Sequence, residues 1–141
     1  MTDKNRAFFE KVFSYYTKND NETFFTYFDQ HVEWTVNGDS IFTGNYKNLD
    51  SVKTVFARFF QLIGNQPANQ NLRHLVVEGK MAAAYLYDTI VGADGKKHIM
   101  EYSMWLEVSS NGKKIVKVDT YADGMQIDKI LKACAQKRKS A

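Results

Sequence analysis

Apolar residues recur along this chain with two different periods, a helical one in the first half and an alternating one in the second. Phe8, Phe9, Val12, Phe13 and Tyr16 fall at helical spacing and predict a first helix of about four turns. Asn19-Asp20-Asn21 interrupts it, and Asp20 or Asn21 can cap a short second helix carrying Phe24, Phe25 and Phe28. Val32, Trp34 and Val36 then alternate with Glu33, Thr35 and Asn37, the pattern of a strand. Turns are expected at Asn37-Gly38-Asp39 and at Gly44. The strongest helical stripe follows, formed by Val52, Val55, Phe56, Phe59, Phe60 and Ile63. Asp50 or Asn48 can cap its start and Gly64 can end it. A loop from Asn65 to Asn71 carries the only proline, Pro67.

Beyond this loop the strands run Leu72 to Glu78, Met81 to Val91, His98 to Val108 and Lys114 to Ala122. Gly79-Lys80, Ala93-Asp94-Gly95 and Asn111-Gly112 join them, and connections this short predict an antiparallel meander. Ile127, Ile130, Leu131 and Cys134 mark a closing helix after Gly124. Helix, helix, strand, helix, four strands, helix is an α+β order. The expected architecture is a curved antiparallel sheet wrapped over the N-terminal helices as a cone, with a ligand pocket at its mouth.

Composition narrows the function classes. At 141 residues and 44% apolar content, residues 1–141 are expected to form one domain, without internal repeat or linker. Ten Phe, eight Tyr and two Trp suit either a cavity wall or a core that fills its own cone. The net charge of +3 is mild, and Lys129, Lys132, Lys137, Arg138 and Lys139 supply much of it. Cations at a helix end face the negative end of its dipole, so no nucleic-acid partner is expected. Cys134 is the only cysteine and reads as a buried apolar residue. The N-terminal stretch lacks an apolar signal core and no run reaches membrane length, so a cytoplasmic protein without a membrane partner is expected.

His31, His74 and His98 fit no metal-ligand spacing, and no metal or cofactor is expected. His31 and His98 read as surface residues, while His74 could face a cavity or pair with an acid. The chain has no glycine-rich phosphate loop, nucleophile elbow or Cys-His arrangement.

Three segments carry a family resemblance. Tyr27-Phe28 precedes the strand Val32 to Val36, and Gly44 precedes the helix carrying Val52 to Phe60. Asn111-Gly112-Lys113-Lys114-Ile115 leads into Tyr121-Ala122-Asp123. In this order they resemble the nuclear transport factor 2-like superfamily, and most of all its SnoaL-like polyketide cyclase and ketosteroid isomerase-like branch. The resemblance implies an isomerase, cyclase or hydrolase that moves protons on a hydrophobic substrate. It also implies frequent pairing into dimers. The residues the branch would use are largely replaced. Its first-helix tyrosine falls near Val12, with Tyr15 and Tyr16 one turn away, and its base falls near Thr35 or Val36. The acid of the last strand falls at Thr120, which is no base at neutral pH. Asn37 and Asp39 lie one to three residues beyond Val36, so a displaced arrangement stays open, but the familiar one is absent and steroid isomerase activity is disfavoured.

Strand alternation sorts the remaining candidates. Val116, Val118, Thr120 and Ala122 form the more apolar face of the last strand and are assigned to the cavity, which turns Asp119 and Asp123 away. Asp123 is then placed to cap the closing helix. Tyr102, Met104, Leu106 and Val108 are expected inward, with Glu101, Ser103, Trp105 and Glu107 outward. An outward Trp105 suggests that a second subunit covers the outer sheet face, a homodimer. Asp88 goes inward if Ala82, Ala84, Leu86 and Ile90 do; otherwise Tyr85 and Tyr87 line the pocket and Asp88 is solvated or paired. The candidate proton-transfer residues are Asp88 and Glu101. Pocket walls are expected from Trp34, Phe56, Phe59, Phe60, Tyr102, Met104 and Val118, with polar contacts from Asn37, Tyr46 and Thr120. The expected partner is a hydrophobic small molecule. The alternative is a dimeric interaction module, without catalysis, whose cone is filled by its own aromatics.

Overall fold

A computed structural model of the chain describes residues 2–135. The basic end formed by Lys137, Arg138 and Lys139 lies outside the described residues. Helix α1 (Thr2–Tyr16) buries Phe9, Val12, Phe13 and Tyr16, the stripe read from its spacing. Helix α2 (Asn21–Phe25) is capped by Asp20, whose carboxylate accepts a hydrogen bond from the Thr23 amide. Strand β1 (Phe28–Asn37) is longer than its alternating core, and a short strand β2 (Gly44–Tyr46) stands where a turn was expected. Helix α3 (Leu49–Leu62) starts at Asn48, which caps Ser51 N–H at 2.9 Å, so the cap is Asn48 rather than Asp50.

Strands β3 (Asn69–Glu78), β4 (Met81–Val91), β5 (Lys97–Val108) and β6 (Ile115–Ala122) form the expected meander. Helix α4 (Gly124–Ala133) closes the chain, and Asp123 caps it through a 2.9 Å bond from the Met125 amide. The six strands form one sheet in the order β2-β1-β6-β5-β4-β3. All neighbours are antiparallel except β1 and β6, which run parallel with Trp34 beside Val118 and Val36 beside Thr120. The α+β class is as expected, and the sheet is largely antiparallel with one parallel pair. Two tight turns carry glycines with positive φ, Gly79 at +58° and Gly112 at +72°, a conformation that L side chains rarely adopt.

Inward positions alternate as the pleat requires. Ala82, Ala84, Leu86, Asp88 and Ile90 of β4 are buried, as are Met100, Tyr102, Met104, Leu106 and Val108 of β5. In β6, Val118 and Thr120 face in as expected, but the alternation breaks at Val116. Glu107 pairs with Lys117 and Val108 with Ile115, so Val116 is a bulged residue and Ile115 takes the buried position beside Val108. Past the last β6 pair, Tyr102 with Ala122, the side chain of Gln126 from α4 accepts the Glu101 amide at 2.9 Å and extends the ladder by one bond.

Candidate functional site

The inner sheet face and α3 line a partly open cavity of about 110 Å³. Helix α3 contributes Val55, Phe56, Phe59 and Phe60, all only partly buried by the rest of the chain. The middle of the apolar stripe that predicts this helix thus lines a cavity, while its ends, Val52 and Ile63, are buried in the core. Trp34 of β1 forms another wall. Its ring stacks on Phe28 at 5.4 Å and meets Phe56 edge-on at 5.5 Å. Its indole N–H donates to the Thr120 hydroxyl at 2.8 Å. Thr120, where the sequence resemblance placed an acid, anchors a tryptophan.

The polar end of the cavity comes from three elements. Asp88 of β4 is 1% exposed and accepts a hydrogen bond from the Tyr102 hydroxyl of β5 at 2.9 Å. The Tyr102 hydroxyl in turn lies 2.5 Å from that of Tyr16, at the end of α1. Gln70 of β3 is Asp88's cross-strand partner and is also buried. Burial away from water disfavours the charged carboxylate and lifts the Asp88 pKa from 3.8 to about 7, against the opposing hydrogen bonds from Tyr102 and Gln70. Burial likewise holds both phenols well above their ordinary range, reinforced at Tyr16 by the nearby Asp88 charge. The two tyrosines are therefore neutral donors at any working pH. A carboxyl poised near neutrality inside an apolar chamber can take a proton and give it back.

The expected residues divide clearly. Trp34, Phe56, Phe59, Phe60, Asp88, Tyr102, Met104 and Thr120 line the cavity. Val118 is fully buried and does not reach it. Tyr46 turns its hydroxyl to the Phe42 carbonyl at 2.6 Å, and Asn37 donates to the Thr120 carbonyl at 3.3 Å, so both support the wall from behind. Glu101 lies on the opposite face of the sheet. It accepts hydrogen bonds from Tyr85 and Gln126, and these hold its pKa below the usual carboxylate range. Glu101 is thus an ionised outer-face residue, not a group of the cavity. Asp88 points inward and is hydrogen-bonded, combining the inward reading with the paired one.

Sequence reasoning passed over Gln70 and Phe42, and reached Tyr16 only as a residue one turn from the position where the resemblance places a tyrosine. By its spacing Tyr16 reads as one more apolar position of α1, and the resemblance did not choose between it and Tyr15. Gln70 sits in what reads as a loop, although alternation carried back from Leu72 turns it inward. Phe42 rides on the segment between β1 and β2, is buried, and meets Phe59 edge-on at 5.8 Å. That segment is knit by bonds of its own, such as Thr43 hydroxyl to Gly38 carbonyl at 2.9 Å. It packs so tightly on α4 that a Cβ built on Gly124 would lie 1.8 Å from the Asp39 carbonyl oxygen.

His31 and His74 are exposed, with His74 stacked on Tyr85, and His98 sits 3.3 Å from Asp94 across a turn. Among the described residues, no group of three or more His, Cys, Asp or Glu side chains is placed to hold a metal ion. No helix among the described residues is long and apolar enough to cross a membrane.

Solved structures share this arrangement of elements. An NTF2-like protein from Burkholderia pseudomallei K96243 superposes with a TM-score of 0.74 at 10% identity, over 92% of this chain and 98% of that one. The chain has the nuclear transport factor 2-like fold. PrhC from Penicillium brasilianum shares the NTF2-like arrangement with a TM-score of 0.76 at 14% identity, over 98% of this chain and 93% of that one. TerC, crystallised with polyporic acid, matches with a TM-score of 0.75 at 11% identity, over 92% and 98% of the two chains. No protein-family profile and no curated protein matches the sequence. Identities this low establish the NTF2-like fold alone, and the chemistry has to be argued from the cavity.

Proposed function

We propose that this NTF2-like protein binds a compact hydrophobic small molecule in the cavity and transfers a proton to and from it through Asp88. The observation that carries the reading is a buried carboxyl, hydrogen-bonded to Tyr102 and Tyr16 in series, set in a wall of aromatic side chains. Its pKa of about 7 leaves both protonation states populated at neutral pH, as a group that acts as base and then acid requires. Isomerisation, cyclisation and hydrolysis through proton transfer all fit such a group. An apolar cavity of about 150 Å³ accommodates benzene. The roughly 110 Å³ here therefore suits about one ring rather than a polycycle, unless α3 or Phe42 moves.

The test is a thermal-shift screen of single-ring compounds, with polyporic acid as a larger member, followed by turnover assays on any hit. Asp88→Asn should lower turnover roughly 100-fold to 10,000-fold while leaving binding measurable. Unchanged turnover in that variant would remove Asp88 from the chemistry.

The small cavity and the outer sheet face favour a second reading, a dimeric interaction module. Val76, Trp105 and Tyr121 are exposed on that face at 63%, 49% and 52%. These exposed apolar side chains, interspersed with polar neighbours such as Ser103 and Asp119, fit coverage by a second copy of the chain. A ligand that binds the cavity supports the first reading. A dimer whose cavity takes no ligand supports the second.

A further inference from the structure

The hydrogen-bond chain in the cavity has a direction. A tyrosine hydroxyl has one proton to donate. Tyr102 donates its proton to the Asp88 carboxylate, so the short contact between the hydroxyls is made with the proton of Tyr16. Both phenols are thereby committed, and neither has a proton left for a ligand carbonyl. The Thr120 hydroxyl, which accepts from Trp34, keeps its own proton. On the acceptor side of the cavity, Oδ1 of Asp88 and Oε1 of Gln70 are buried without a hydrogen-bond partner, although the Gln70 side-chain N–H also acts on the Asp88 carboxyl. These two residues face each other across the β3–β4 ladder, and both line the cavity. An unpaired buried acceptor is costly, and two of them side by side call for a hydrogen-bond donor between them.

We infer that the cavity selects a ring compound carrying an O–H or N–H donor, held between Asp88 Oδ1 and Gln70 Oε1, over an analogue that offers only a carbonyl or ether oxygen. The inference rests on the proposed reading of the cavity as a ligand site and adds the polarity of the ligand's head group. It also gives the proton-transfer step a starting point. The ligand's O–H or N–H bond breaks, its proton passes to Asp88 Oδ1, and the electron pair stays on the ligand heteroatom. The reverse step restores both groups. The groups acting on Asp88 are Tyr102 from β5 and Gln70 from β3, with Tyr16 of α1 behind Tyr102, so no second carboxylate complicates its titration. Once Asp88 is protonated it supplies a donor of its own, and the preference should narrow.

The test uses two matched pairs, phenol against anisole and cyclohexanol against cyclohexanone. Dissociation constants are measured by ligand-observed NMR on the full chain at pH 8 and pH 5. The hydroxyl member of each pair should bind about tenfold more tightly at pH 8, the scale of one hydrogen bond to a charged acceptor. That ratio should shrink at pH 5. Gln70→Met and Asp88→Asn should each reduce it at pH 8, and if one variant fails to fold the other carries the test. Equal binding within the pairs, or tighter binding of the ketone and ether, overturns the inferred polarity while leaving the cavity a ligand site. Binding by none of the four overturns both readings.

Discussion

Asp88 is the residue at which sequence and structure meet most closely, and its burial makes a prediction about stability. The unfolded chain holds the carboxyl near 3.8, and the fold lifts it to about 7. Between those values the folded state binds more protons than the unfolded one, so stability falls as pH rises through the window and levels off above it. The shift corresponds to roughly 4 kcal/mol. Denaturant titrations of the natural chain and of Asp88→Asn, at pH 4 and pH 8, isolate the effect. The natural chain should lose a few kcal/mol relative to the variant on going to pH 8, and parallel curves would count against a buried, uncompensated carboxyl. Tyr102→Phe removes the donor that favours ionised Asp88 and should push its titration higher, with a stability loss of about 1–3 kcal/mol at pH 8. NMR of the labelled carboxyl reads the direction. Much of this was legible beforehand, because alternation along Ala82, Ala84, Leu86 and Ile90 admits Asp88 to the inner face. What alternation leaves open is which face of an isolated strand points inward. Tyr16 was named beside Tyr15 but its partner stayed open, since a tyrosine that ends an apolar stripe looks the same whether its hydroxyl meets water or another phenol.

Among the elements, the helix ends follow from local chemistry, and the strands less completely. Asp123 caps α4 as its position suggests, and Asp123→Ala should cost about 1 kcal/mol in a denaturant titration. The next residue gives a sharper test. A side chain at Gly124 collides with the Asp39 backbone, so Gly124→Ala must displace the segment 38–43 that carries Phe42 to the cavity. Hydrogen exchange should rise at residues 38–43 and stay unchanged in the meander β3 to β5. Protection retained at 38–43 would show that α4 yields instead. The bulge at Val116 marks where pattern reading failed. Ile115, Val116 and Val118 are all apolar, so the sequence does not say which of the first two is set aside from the ladder; pairing with Val108 decides it. Strand β2 escaped notice because three residues, Gly44 to Tyr46, are too few to show a period.

For the whole molecule, the order of elements foretold the α+β class, while the sheet order depended on contacts that leave no local trace. A hairpin announces its partner through its turn. The parallel pair β1 and β6 has no turn between its strands and so no signature. The outer face makes the prediction proper to this scale. The chain should sediment as a dimer, and Trp105→Glu should shift it to monomer with little loss of fold, since Trp105 is already 49% exposed. A natural chain that sediments as a monomer at high concentration would leave that face without its proposed partner. The parallel pair also bears on how the protein comes into being. Tyr16, Asp88 and Tyr102 have all left the ribosome before Val118 and Thr120, the β6 residues beside Trp34 and Val36. The aromatic helices and β1 must therefore wait, incompletely covered, for the last strand to slot between β1 and β5. A stop codon that trims β6 should leave a chain that chaperones hold and proteases clear, even though Tyr16, Asp88 and Tyr102, the residues of the proposed proton transfer, have already been translated.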